Sequence, residues 1–165
     1  MKGSEKMSGY LKLTQQEIED FVVSNHEYYL KKWQKYPENS LFSGWNWVAF
    51  FFPHIWALYR KMYILLLLYA AYYIADALIF RFFIEETIFS LLVRLIVAVI
   101  INVLYGMYAT GLYRRKAMST VSEATGMSEA EKKEYLKNKG DVSKTGMLIF
   151  FSAAIVGALV VPWFL

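Results

Sequence analysis

The sequence predicts an all-α integral membrane protein: three transmembrane helices, an amphipathic N-terminal helix and a short Pro-broken helix that is re-entrant or interfacial. Three observations predict it. Of the 165 residues 57% are hydrophobic, above the roughly 45–50% of a soluble domain. The apolar residues sit in blocks, with Lys and Arg collected between them. One block, Asn46–Tyr63 (NWVAFFFPHIWALYRKMY), is short and interrupted by Pro53, and a run long enough to span follows at once.

Each element has its own signal. Residues 1–13 are polar and read as disordered, and the first 40 residues lack the apolar core of a cleaved leader. Thr14-Gln-Gln-Glu17 is a capping box, in which hydroxyl and carboxylate each satisfy a free N–H at a helix start. The helix it opens is expected over 14–36, ended by Pro37, with Ile18, Val22, Tyr29 and Trp33 on one face.

The segment 45–61 comes next. Its apolar part, 45–59, covers only about 22 Å as helix against about 30 Å of hydrocarbon. Pro53 also removes one helical hydrogen bond. Residues 63–80 and 87–113 read as spans, the second long enough to tilt or project. Residues 114–144 read as a basic cytoplasmic loop, with a capping box at Ser128-Glu-Ala-Glu131 opening a short helix over 128–139. Residues 145–165 read as the last span.

Charge sets the orientation. If 45–59 does not cross, 16 of the 18 Lys and Arg fall on one side. Basic residues stay on the cytoplasmic side, so the N-terminus is expected inside and the C-terminus outside. The net charge of +4 is no nucleic-acid signal, because the basic residues flank apolar runs and form no stripe of their own.

Asn46-Trp47, the run Ala49-Phe50-Phe51-Phe52, Pro53, Trp56 and Tyr59-Arg60-Lys61-Met62-Tyr63 form a distinctive group, preceded by Asn25, Tyr28-Tyr29 and Lys32-Trp33. Together, over residues of about 25–110, they resemble a bacterial membrane-protein family catalogued as domain of unknown function 2628. The resemblance implies a small multi-helix protein of the bacterial cytoplasmic (inner) membrane. It implies no activity.

Candidate chemistry is sparse. Asp76 and Arg94 are ionisable residues inside spans. An antiparallel hairpin places them at similar depth, where either alone is costly. They read as an ion or proton relay, as a structural clasp, or, for Arg94, as a side chain snorkelling to lipid phosphate. Asn102 falls near Tyr69 and Tyr72 by the same arithmetic, a polar seam that either holds a ligand or packs helices. Trp45, Trp47, Trp56, Tyr59 and Tyr63 read as a recognition surface or as an interfacial aromatic belt; Asn46 and Pro53 belong to the same signature segment. Arg60-Lys61 and Arg114-Arg115-Lys116 are placed to meet anionic lipid headgroups. His54, beside Pro53, is expected to satisfy a carbonyl freed at the break. Ala153 and Gly157 give the last span a small-residue face for helix packing.

There is no cysteine, and no HExxH-type metal spacing, nucleophile–base pair or phosphate-cradling glycine loop is present. No cofactor, metal or catalytic residue is expected. The expected partners are a bilayer with anionic headgroups and a protein partner or further copies of the chain. The function read from this is a small non-enzymatic accessory or interaction protein. The runner-up is a small oligomeric channel or transporter using Asp76, Arg94 and Asn102.

Overall fold

A computed structural model describes residues 13–82, 84–85 and 87–160, with side-chain surroundings as far as Ser152. Among the described residues the fold is all-helical: α1 (Gln15–Val22), α2 (His26–Lys35), α3 (Trp47–Phe51), α4 (Pro53–Tyr59), α5 (Tyr63–Phe82), α6 (Ile88–Glu123), α7 (Glu129–Gly140) and α8 (Lys144–Val160). The expected disordered tail lies outside the described residues except for Leu13.

Two helices are long and apolar enough to cross a membrane, α5 and α6. Only 6% of the apolar window of each is buried inside the protein, so neither is buried in the core of this chain. At 36 residues, α6 is about 54 Å long, far more than a bilayer needs. Its first half, to about Tyr105, is the apolar part. From Gly106 onward it becomes the central post of a helical head.

The head gathers α1–α4 and α7 around that post. Its core holds Phe21, Val22, Tyr29, Trp33, Ala49, Trp56, Ala57, Ala109, Tyr113, Ala117, Val121 and Leu136. Gly106, Thr110, Tyr113, Ala117, Thr120 and Val121 recur at helical spacing and are all buried. Tyr113 is the hub, with the rings of Phe21, Tyr29, Trp33 and Trp56 between 5.1 and 6.1 Å away.

The expected loop over 114–144 is thereby corrected. The helix runs unbroken through Arg114 to Glu123, because its polar residues are interleaved with small ones that the head packs against. Only the turn near Gly126 separates it from α7.

The expected single helix over 14–36 is also corrected. Val23 (φ 48°) and Asn25 (φ 64°) take positive φ and divide it into α1 and α2. Asn tolerates the left-handed region better than most residues. The predicted face survives the break, since Ile18, Val22, Tyr29 and Trp33 are all buried. Both predicted capping boxes form, at Thr14/Glu17 and Ser128/Glu131. A third, Thr87/Ser90, opens α6.

The Pro break also forms. Phe52 ends α3 and precedes α4, whose first residue is Pro53, the position where its missing N–H costs nothing. The segment is partly built into the head rather than lying wholly on a surface. Ala49, Pro53, Trp56 and Ala57 are buried, while Trp47, Val48, Phe51 and Phe52 face outward.

Candidate functional site

Short helices leave carbonyls without partners at their C-termini, and those ends carry partial negative charge. In this head cations from elsewhere in the chain satisfy them. Arg60 donates to the carbonyls of Val22 (3.4 Å), the last residue of α1, and Ser24 (2.9 Å), just beyond it. Arg114 donates to Tyr36 and Pro37, each at 3.0 Å, after α2. Lys116 donates to Arg60 (3.4 Å) and Lys61 (3.0 Å) at the end of α4. Lys61 donates to Asn138 (2.8 Å) near the end of α7.

The end of α4 explains its YRKMY sequence. Lys61 has φ 54°, and its N–H bonds Leu58 while that of Met62 bonds Ala57. This is a Schellman closure with a lysine at the position glycine usually holds. It turns the chain directly into α5.

The headgroup reading of the Arg114-Arg115-Lys116 triplet therefore needs correction for Arg114 and Lys116, which the head buries wholly or in part. Arg60 is 3% exposed, and Arg114 is buried with it. Lys116 is half-buried, and burial pushes its ammonium down to about 8, helped by repulsion from Lys61 and Lys139. Burial also lowers Arg114, with Glu38 opposing. Of the Arg114-Arg115-Lys116 triplet only Arg115 is exposed.

Around Arg60 the motif residues converge. Its guanidinium lies 4.7 Å from the ring centre of Tyr29, 5.3 Å from Tyr59 and 5.5 Å from Tyr113. Such contacts favour a cation over an aromatic face. Trp56 Nε1 donates to the Tyr29 hydroxyl at 3.3 Å. Asn46 is a rivet: its side chain caps α3 by accepting from Ala49 (3.0 Å) and donates to Thr110 Oγ1 (3.4 Å). Its own N–H bonds the carbonyl of Gly106 at 2.8 Å.

A groove of about 300 Å³ opens here, lined by Asn25, Tyr28, Tyr29, Asn46, Trp47, Val48, Trp56, Tyr59 and Arg60. Most of those residues belong to the group singled out in the sequence. Pro53 and Lys61 do not line it. Pro53 is buried at the helix break, and Lys61 closes α4.

Between α5 and α6 the predicted pair is present. Arg94 Nε and Nη2 both donate to Asp76 Oδ2, at 3.1 and 2.6 Å, and the guanidinium lies 4.4 Å from the Phe80 ring centre. Tyr69 donates to Asn102 Oδ1 at 3.3 Å and meets the Tyr73 hydroxyl at 3.2 Å. Tyr105 donates to the carbonyl of Leu65. Tyr72 packs against Tyr69 and Tyr73 and has no hydrogen bond in this cluster. The seam is a set of cross-links between α5 and α6.

His54 departs from expectation. Its ring stacks on Tyr69 and lies near Phe150, and Nδ1 meets no polar partner among the described residues. Ala153 and Gly157 are within α8, but their side-chain surroundings lie outside the described residues.

Sequence reasoning missed Tyr113, Thr110 and two glycines. A Cβ on Gly111 would lie 1.7 Å from the Leu41 carbonyl oxygen, and one on Gly140 would lie 2.2 Å from that of Phe21. The available signal was the recurrence of small residues at Gly106, Ala109, Thr110 and Ala117, which runs past the apolar part of α6.

No curated protein and no solved structure matches the chain. The family described as Protein of unknown function (DUF2628) matches residues 14–118, from the Thr14 cap to the buried half of α6. With well over half of its length matched and the motif residues gathered at one groove, the chain belongs to that family.

Proposed function

We propose that this protein is a small accessory protein of the bacterial inner membrane, non-enzymatic, whose head docks a membrane or cytoplasmic protein partner. The continuity of α6 carries this reading. One unbroken helix, Ile88–Glu123, is membrane span at one end and core of the head at the other. Such a post holds the head at fixed height and orientation, as a docking platform requires.

In this reading α5, the first half of α6 and α8 are three spans. The N-terminus is inside and the C-terminus outside. The 16 basic residues of the head and its flanking segments support that orientation. The segment 45–61 rests at the cytoplasmic interface, its outward aromatic side chains in the bilayer and its inner face in the head.

The Asp76–Arg94 pair is what favours the alternative of a small oligomeric channel or transporter. Its geometry supports a clasp better, because both groups are turned on each other and bridge α5 to α6.

The test is photo-crosslinking in native membranes from the exposed positions Lys133 and Lys137 on α7. A reproducible stoichiometric protein adduct is the expected result. Absence of any protein adduct, with ion or solute flux in proteoliposomes that Asp76→Asn abolishes, would overturn the docking reading. Single-cysteine labelling gives the topology: Ser40 and Ser128 should label from one face and Glu85 from the other.

A further inference from the structure

The groove beside Arg60 has an excess of hydrogen-bond donors. Arg60 is 3% exposed and carries five donors; it donates to two backbone carbonyls and otherwise faces the rings of Tyr29, Tyr59 and Tyr113. None of its partners among the described residues is a carboxylate. A cation taken from water without a counter-charge is costly, and the dipole of α1 and the three ring faces offset only part of one charge.

The phenols add to the excess. Tyr28 accepts from Lys32 Nζ at 2.6 Å, and Tyr29 accepts from Trp56 Nε1. Each hydroxyl therefore has its own proton left to donate. Asn25 also lines the groove and makes no capping bond to α2. No carboxylate lines it. Arg60, Tyr28, Tyr29 and Asn25 are among the residues that line it, a donor-rich set that suits an anionic oxygen cluster.

The mouth identifies the source. Trp47 and Val48 form its rim and are 63% and 55% exposed. They continue into outward-facing Phe51 and Phe52 on the same Pro-broken segment. α5 begins only three residues after Arg60. A polar, cationic pocket joined to an apolar rim at the start of a membrane helix fits a phospholipid better than a soluble anion.

We propose that this groove binds the phosphodiester headgroup of one anionic phospholipid per chain. The phosphate faces Arg60, Tyr28 and Tyr29, and the acyl chains lie along Trp47, Val48 and Phe51. The lipid supplies the counter-charge that Arg60 lacks and joins the head to the inner leaflet at one defined point.

The experiment is native mass spectrometry of the full chain in mild detergent. It is titrated separately with phosphatidylglycerol, phosphatidylcholine and inorganic phosphate. Wild type should retain one phosphatidylglycerol at least tenfold more tightly than phosphatidylcholine. Val48→Glu places a carboxylate at the rim, at a helix position where acid is tolerated, and should abolish that preference. Val48→Gln should keep it, and Tyr28→Phe should weaken it severalfold. These variants leave the Arg60 carbonyl caps in place, so the test does not depend on whether Arg60→Gln folds.

Equal retention of the two lipids, or a preference that survives Val48→Glu, would overturn the proposal. So would inorganic phosphate competing as well as the lipid, which makes the ligand a soluble anion. A protein partner lost in Val48→Glu while lipid retention is unchanged would make the groove a protein site instead.

Discussion

The guanidinium of Arg60 donates to the carbonyl of Ser24 at 2.9 Å, so the residue that caps α4 also closes the end of α1. Removing it strands two backbone acceptors in the head, at about 1–3 kcal/mol for each unsatisfied group. Arg60→Leu is expected to lower unfolding stability in detergent by about 3 kcal/mol. Arg60→Lys should recover only part of that, because one ammonium lacks the planar fork that reaches both carbonyls. Denaturant titration by circular dichroism checks this. Wild-type stability in Arg60→Leu would show that the caps matter little.

The same relationship marks how far the sequence was legible. Arg60, Arg114 and Lys116 flank apolar runs, which is the pattern of headgroup contacts. The carbonyls they cap lie 36, 78 and 55 residues away, and no local periodicity encodes such pairings. Asp76 and Arg94 were legible because antiparallel helices joined by a short turn fix depth by counting. Capping boxes were legible because they are local. The break at Val23–Asn25 was not, since a continuous apolar face at 3.6-residue spacing reads the same across a kink. The continuation of α6 was hidden because a helix entering a polar head loses the apolar contrast that marks a span.

Gly111 sits against the backbone of the Leu41 segment. A Cβ there would lie 1.7 Å from a carbonyl oxygen, and backbone cannot step aside as a side chain can. Overpacking usually costs 1–3 kcal/mol, and Gly111→Ala is expected at or beyond about 3 kcal/mol. Gly126→Ala meets no neighbouring atom but has φ 95°, so it should cost only its modest backbone strain. Thermal unfolding of the pair in one detergent ranks them. Equal midpoints would refute the close approach.

Lys116 gives the head a pH signature. Its folded-state value lies at about 8 against an ordinary 10.5, so the folded protein releases this proton first. Below about 8 both states are charged and the folded state carries the full cost of burial. Between there and 10.5 the unfolded state holds more protons, and stability rises with pH. The buried phenols of Tyr29 and Tyr113, raised by burial, act in the opposite sense only above their ordinary 10.0. In the window from about 8 to 10.0, wild type should gain stability relative to Lys116→Met. Parallel curves for the two proteins would refute the shift.

Asp76 and Arg94 share one carboxylate oxygen within a hairpin whose other surfaces are largely turned outward. In hydrocarbon a lone charge is worse than a pair and worse than none. Asp76→Leu is therefore expected to destabilise the protein more than the double variant Asp76→Leu/Arg94→Leu. The single variant leaves a guanidinium facing apolar side chains, whereas the double variant leaves a lipid-compatible surface. A favourable coupling of about 1 kcal/mol or more between the two changes is expected, within the usual range for residues in contact. Thermal midpoints of the four proteins in one detergent, repeated in lipid nanodiscs, close the cycle. Simple additivity would mean that the pair does not hold α5 to α6. The clasp role would then pass to the bonds from Tyr69 to Asn102 and from Tyr105 to the Leu65 carbonyl.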